Sequence, residues 1–263
     1  MGVAMHPICE KHIRRTALPT LFCPGCGSGT ILNVAMHLVD KMGVDNFVFT
    51  SGSGCNGWIP VMINADVQHT LHGRPIAVAT GIKLALPDKH VVVFTGDGDC
   101  VGIGGNHFIH AARRNIDLTV IMINNLNYGM TGGQLSPSTP YKGTTKTSPY
   151  GNPEQPFDAV DLAVGAGASF VARETTTAPR RLLATLEKAI VHKGFSFIDV
   201  ITQCPTQAGK ALYGSSSPEY VFNTIKKRAV SKRDLPLEEG QFHVGILHHN
   251  PEKPVFDPWN TRT

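Results

Sequence analysis

The 263-residue sequence has 41% hydrophobic and 17% charged residues, a formal net charge of +4 and six cysteines. Apolar content near the globular average excludes wholesale disorder, and charge below the usual ~25% points to a surface partly covered by other protein. The small, scattered charge gives no nucleic-acid footprint, and no apolar run reaches the ~18 residues of a membrane span.

In chain order, Met1 to Arg15 carries His and Arg but lacks an apolar stretch of ~7–15 residues. A secretory leader is therefore not expected, the location should be cytoplasmic, and the cysteines should be thiols or metal ligands rather than disulfides. Ile31, Leu32, Ala35, Leu38, Val39 and Met42 mark one face of a helix over 29–42. Phe47-Val48-Phe49-Thr50 reads as a buried strand, and Gln68 to Arg74 as a polar loop. A helix follows over 74–86, with Pro75 in its opening turn. Val91 to Phe94 is a second strand, 104–115 a helix, and Leu118 to Ile123 a third strand. Residues 129–157 form a loop rich in Gly, Thr, Ser and Pro, too long for a bland connection. A helix over 179–192 ends at Lys193-Gly194, and Phe197 to Ile201 is a fourth strand. Beyond Pro205 come one weak helix (218–229), a charged stretch to Glu239 and an extended tail that would pack on its own domain or on a partner. The alternation predicts an α/β fold, a doubly wound, mostly parallel sheet with helices on both faces plus an irregular C-terminal tail. The expected division is an N-terminal extension over 1–16, one domain over 17–210 and a C-terminal extension over 211–263.

Gly96-Asp97-Gly98-Asp99 follows the second strand directly, and Asn124-Asn125 follows the third, beginning 25 positions after Asp99. Two neighbouring strands would thus present polar residues at the carboxyl edge, where open α/β sheets bind ligands. The glycines allow a phosphate to approach the backbone, and Asp97 and Asn125 offer hard oxygen donors of the kind Mg²⁺ takes. Gly-Asp-Gly alone is common as a simple strand-end turn; the asparagine pair at the next strand end favours a site.

Cys23 and Cys26 form a Cys-x-x-Cys loop before a helix, Cys55 follows a strand end, and Cys204 follows another with Pro205 beside it. Four thiolates suit a tetrahedral zinc or a [4Fe–4S] cluster, and the spacing leaves these level, with inert thiols a third reading. Cys100 reads as a small core residue, and Cys9 lies in an irregular segment with no assigned role. Of twelve histidines, His37, His107, His110 and His192 fall on expected helices as structural groups. His72, in the polar loop, is a better ligand contact than His69. Arg113-Arg114 and Lys226-Lys227-Arg228 read as solvated faces.

Taken together these residues resemble a known family. Cys23-Pro24-Gly25-Cys26-Gly27, Ser51-Gly52-Ser53-Gly54-Cys55, His72-Gly73-Arg74, the Gly-Asp-Gly-Asp and Asn-Asn elements, Thr131-Gly132-Gly133-Gln134 with Ser136-Pro137, and Cys204-Pro205-Thr206 are similar to β subunits of 2-oxoacid:ferredoxin oxidoreductases, most like the 2-oxoglutarate branch. The resemblance covers roughly residues 17–210 and implies a thiamine-diphosphate-binding fold. It implies Mg²⁺ on Asp97, Asn125 and the main-chain carbonyl of Asn127. The diphosphate would rest on backbone around Gly98-Asp99 and Gly129-Met130, with Ser53, Gly54, Cys55, Asn56 and His72 lining the same cofactor. It tilts the four cysteines to a [4Fe–4S] cluster. It further implies coenzyme A as co-substrate, ferredoxin as electron acceptor, and an α subunit, with room for further small subunits.

No Glu of this chain stands at a strand end; Glu10, Glu154 and Glu174 lie in weakly patterned segments. In the resembled family the activating glutamate comes from the α subunit, so this chain alone is expected to be silent. Gly132-Gly133 supplies no charge for a second substrate carboxylate, which leaves pyruvate or a broader 2-oxoacid range beside 2-oxoglutarate. Two other classes remain at this stage, a non-redox thiamine-diphosphate decarboxylase and a non-enzymatic zinc-binding interaction subunit.

Overall fold

The computed structural model describes residues 5–231 and 236–258. Strands β1 (Phe47–Ser51), β2 (Asp66–His69), β3 (His90–Gly96), β4 (Thr119–Asn124), β5 (Phe170–Thr175) and β6 (Ser196–Ile201) run parallel in the order β2-β1-β3-β4-β6-β5. The tail adds a short pair, β7 (Ala229–Val230) with β8 (Phe242–His243), and then β9 (Gly245–His249), which lies antiparallel on the outer edge of β5.

Nine α-helical segments are described: α1 (Pro7–His12), α2 (Ser28–Met42), α3 (Trp58–Val61), α4 (Pro75–Ala85), α5 (Gly105–Arg114), α6 (Ala159–Gly165), α7 (Pro179–Val191), α8 (Lys210–Tyr213) and α9 (Pro218–Arg228). Successive strand side chains point to opposite faces, so each strand feeds two cores. Val92 and Phe94 pack with α1, α2 and α7 on one face, while Val91 and Val93 pack with α4, α5 and α6 on the other. Strands covered on both faces need near-continuous apolar sequence, which is why the central ones were legible.

β5 and β2 escape that pattern for different reasons. β5 carries Arg173 and Glu174 in its middle, and both are neutralised inside the protein. Arg173 bonds Asp199 (2.9 Å) and Asp158 (2.5 Å); the fully buried Glu174 accepts from Arg181 (2.7 Å) and Thr185 (2.8 Å). Glu174 is thus a paired strand residue, not part of a weakly patterned segment. β2 reads Asp-Val-Gln-His and is largely exposed, as an edge strand can be. Cys9, expected in irregular chain, lies in α1 and is buried in the first core.

The tail packs on its own sheet. Asn115, at φ 55° where α5 ends, donates from its side-chain nitrogen to the carbonyls of Lys253 and Pro254, both at 3.1 Å. The Lys253 ammonium in turn donates to the last-turn carbonyls of Ala112 and Arg113 and to Gly167 O. The long loop expected over 129–157 is irregular but stitched: Thr139 Oγ1 donates to Leu126 O and Asn152 Nδ2 to Thr139 O, each at 2.8 Å. No helix among the described residues is long and apolar enough to cross a membrane.

Strand order reverses at β1 and β3. From β1 the chain moves outward to β2, then returns across β1 to begin β3 on its other side. That switch point opens a crevice at the carboxyl ends of the two strands, the default ligand position of such sheets.

Candidate functional site

At that crevice lies a cavity of about 140 Å³, walled by Ser53, Gly54, Cys55 and Asn56 after β1, by Gly96 to Asp99 after β3, and by Asn125, Asn127 and Tyr128 to Thr131 after β4, with His72 and Ile123. Every residue expected to touch thiamine diphosphate or Mg²⁺ is on this wall: Ser53, Gly54, Cys55, Asn56, His72, Asp97, Gly98, Asp99, Asn125, Asn127, Gly129 and Met130. His69 is not. It lies on β2, with its ring 2.9 Å from Ser51 Oγ.

The two aspartates have separate tasks. Asp99 is held within the protein: Oδ1 accepts from Gly73 N at 2.6 Å and contacts His72 Nδ1, while Oδ2 accepts from Thr95 Oγ1 at 2.7 Å. A Cβ on Gly52 would lie 1.8 Å from Asp99 Oδ2, so glycine is required there for the carboxylate to fit. Asp97 keeps fewer partners. Ser136 Oγ donates to it at 2.6 Å and Ser138 Oγ donates as well, yet burial pushes its carboxyl up to about 6. A buried anion in that condition is relieved by a cation.

Asn124 and Asn125 also divide the work. Asn124 donates to Asp199 (3.0 Å) and accepts from Leu126 N (3.3 Å), which anchors the turn. Leu126 takes the left-handed conformation at φ 63°, uncommon for a residue with a Cβ and characteristic of functional turns. Beyond it Asn125 Oδ1 accepts from Asn127 N (3.3 Å), and Asn127 Nδ2 donates to Asn125 O (2.7 Å). Asn127 Oδ1 is buried with no hydrogen-bond partner among the described residues. A buried acceptor left open is costly in a native protein unless a ligand or ion meets it.

Tyr128 was not anticipated. A Cβ on Gly98 would fall 2.1 Å from its ring, and the ring stands edge-on to His72 with centroids 6.0 Å apart. Tyr128 thus forms a wall pressed on the Gly-Asp-Gly turn. Ser136 and Ser138, which hold Asp97, also lay outside the expected contacts, because the loop that returns them has no period to read.

All six cysteines are free thiols. Cys26 N donates to Cys23 O at 3.0 Å, closing the Cys-x-x-Cys turn through Gly25 at φ 74°. Gly27 N donates to Gln203 O at 3.1 Å, which brings that turn beside Cys204. Burial raises the Cys26 thiol, with Cys204 and Cys23 adding repulsion; burial raises Cys55 to about 11, with Cys26, Cys204 and Cys23 adding to it. Cys26 and Cys55 therefore each lie within electrostatic reach of Cys23 and Cys204. Cys55 is itself on the cofactor cavity wall, and Cys204 Sγ lies 3.6 Å from where a Cβ on Gly129 would sit. Cys100 is buried core, as expected. Among the described residues no three His, Cys, Asp or Glu side chains close tightly enough to hold a single metal ion. Thiolates on one zinc lie ~3.8 Å apart, given Zn–S near 2.3 Å.

Known proteins were compared against this arrangement. The family described as "Thiamine pyrophosphate enzyme, C-terminal TPP binding domain" matches residues 52–200. The chain is 47% identical to "2-oxoglutarate synthase subunit KorB" of Methanocaldococcus jannaschii, over 96% of this chain and 95% of that one. It belongs to the β subunits of 2-oxoacid:ferredoxin oxidoreductases. Within that family the likeness is to the 2-oxoglutarate type. "2-oxoglutarate oxidoreductase subunit KorB" of Mycobacterium tuberculosis is 38% identical over 84% of this chain and 57% of its own length. A solved structure titled "2-oxoglutarate:ferredoxin oxidoreductase from Magnetococcus marinus with 2-oxoglutarate, coenzyme A and succinyl-CoA bound" superposes with a TM-score of 0.83 at 31% identity. That match covers 94% of this chain and 86% of the other. The thiamine-diphosphate fold and the enzyme class therefore stand.

Proposed function

We propose that this β subunit holds thiamine diphosphate with Mg²⁺ in the switch-point cavity and a [4Fe–4S] cluster on Cys23, Cys26, Cys55 and Cys204. In the assembled enzyme, oxidative decarboxylation of 2-oxoglutarate to acyl-coenzyme A and CO₂ would pass electrons to ferredoxin. The observation that carries this reading is the shared wall: Cys55 lines the cofactor cavity, and Cys204 Sγ lies against Gly129 of the same wall.

Asp97, the Asn125 side chain and the Asn127 carbonyl would hold the metal. One carboxylate with two neutral oxygens suits Mg²⁺ only when phosphate oxygens complete the octahedron, as the diphosphate would provide. The glycines at 98 and 129 admit the diphosphate to the backbone; Asp99, through Gly73 N and His72, keeps that turn in place. Bound thiamine diphosphate supplies an electron sink for decarboxylation, and the cluster one-electron chemistry beside it. Tyr128 closes one side of the cavity against the Gly98 turn. No glutamate lines the cavity, which supports an activating carboxylate from the α subunit and a site completed between chains. A cytoplasmic setting is in keeping with six cysteines none of which is in a disulfide.

Anaerobic purification with metal analysis tests the reading. About four irons with acid-labile sulfide per chain, and loss of both in Cys204→Ser, is the expected result. Stoichiometric zinc without iron overturns it in favour of a structural site. Assay of the assembled enzyme with 2-oxoglutarate against pyruvate, coenzyme A and ferredoxin then fixes the substrate.

A further inference from the structure

Thr131 is the last residue on the cofactor cavity wall, and the chain then turns through Gly132 and Gly133 at φ 112° and 93°. This turn carries no side chain, and neither lysine nor arginine lines the cavity. A cation from elsewhere in the same chain lies against this turn. Lys146 Nζ lies 3.0 Å from the position a Cβ on Gly132 would take, and its Cδ 3.8 Å. The ammonium fills the space that a side chain at 132 would need.

Lys146 is placed there by backbone bonds. Its N donates to Gly133 O at 3.0 Å, and Leu135 N donates to Thr147 Oγ1 at 2.9 Å. Among the described residues its ammonium has no ion pair, in contrast to Lys83 and Lys193, which share Asp117, though Lys188, Lys210, Lys226 and Lys227 are unpaired as well. Beside it lies a second cavity of about 200 Å³, with Lys146, Thr145 and Gln207 on its polar side and Ala208, Ala211 and Leu212 on the other. Asn127 borders both cavities, so the two adjoin at the residue whose buried Oδ1 lacks a partner. An exposed, unpaired ammonium at the mouth of a mixed recess next to a reaction chamber can receive an anion.

We propose that Lys146 is a specificity-determining residue that binds a terminal anionic group of a reactant. That group is either the distal carboxylate of a dicarboxylic 2-oxoacid or a phosphate of coenzyme A. The assignment rests on the function proposed above and would place this charge on the β subunit itself.

The test uses the assembled enzyme with Lys146→Met and Lys146→Arg. Wild-type turnover comes first: if it oxidises no 2-oxoacid, the functional reading fails and the Lys146 assignment with it. With wild-type activity in hand, the methionine variant is expected to lose at least about tenfold in one of two ways. A fall in kcat/KM for 2-oxoglutarate relative to pyruvate, carried by KM, identifies the carboxylate. A rise in KM for coenzyme A with either oxoacid identifies the phosphate. Lys146→Arg should recover most of the loss, which a packing role would not predict. Constants all within twofold of wild type, or equal loss on both oxoacids with KM for coenzyme A unchanged, overturn the assignment while leaving the function intact. Should Lys146→Met fail to assemble, Lys146→Gln carries the same readouts, and calorimetric titration with 2-oxoglutarate and with coenzyme A reads binding directly.

Discussion

Gly98 shows how much one hydrogen atom in place of a methyl can decide. Gly98→Ala would drive a Cβ into the Tyr128 ring, 2.1 Å away, and displace either the ring or the turn that carries Asp97 and Asp99. We expect thiamine-diphosphate affinity of the assembled enzyme to fall at least about tenfold with the subunit still folded, measured by calorimetry alongside circular dichroism. Unchanged affinity would mean that the turn does not carry the cofactor. The glycines, Asp97 and the asparagine pair were legible because their chemistry forces residue type and their strand ends fix position. Tyr128, Ser136 and Ser138 were not, since an aromatic wall and two hydroxyl donors are found in any loop and only the folded return path gives them a partner.

Among the elements, the join between α5, the strand ends and the tail turns on Asn115. It is fully buried; its Oδ1 accepts from Phe195 N (2.8 Å) and Ser169 Oγ (2.6 Å), and its nitrogen holds the tail. Asn115→Ala leaves those partners buried and open and forces a Cβ residue without local hydrogen bonding to hold φ 55°. At ~1 kcal/mol for each of four bonds, the cost is ~4 kcal/mol, or roughly 8–16 °C in melting temperature. Thermal unfolding followed by circular dichroism checks it; a shift below 2 °C would remove Asn115 from this role. His192 sits at the same edge, 2.7 Å from Ser169 Oγ and ringed by Phe170 and His249. Burial, with repulsion from His249, lowers its pKa from the ordinary 6.5. On acidification the unfolded chain takes up the proton first, so this stability is complete above pH 6.5 and is lost as pH falls through the folded pKa. Between pH 7.5 and 5.5 the melting temperature of wild type should therefore fall more than that of His192→Gln; His90 and His107, also lowered by burial, act equally on both. Equal falls would exclude His192. The central helices and strands were legible from periodicity alone, while β5 was hidden by Arg173 and Glu174, whose partners lie on other elements. β9 was hidden too: a strand laid on an existing edge needs backbone more than pattern.

At the level of the molecule, the low charge fraction becomes concrete in where apolar side chains remain outside. Leu71 is 79% exposed next to His72, and Met130, on the cavity wall, is 49% exposed, with Ile103 and Trp58 also uncovered. Large exposed apolar groups around a site mark a surface that other protein covers. The purified β subunit alone should accordingly show no 2-oxoacid-dependent dye reduction, and activity should appear when the α subunit is added. Full activity of the isolated chain would sink the shared-site reading. A partner was legible in the sequence as a low charge fraction and as an absence of glutamate from the motifs, whereas which apolar side chains stay exposed beside the cavity is visible only in the folded chain.

The placement of β9 also sets an order of events during synthesis. β5 pairs on one side with β6, made soon after it, but its other neighbour is β9, about 70 residues further along. At ~5–20 residues per second the ribosome takes roughly 4–14 seconds to cover that distance. Throughout that interval the nascent sheet carries an unsealed row of amide and carbonyl groups along β5, until β9 emerges and closes it.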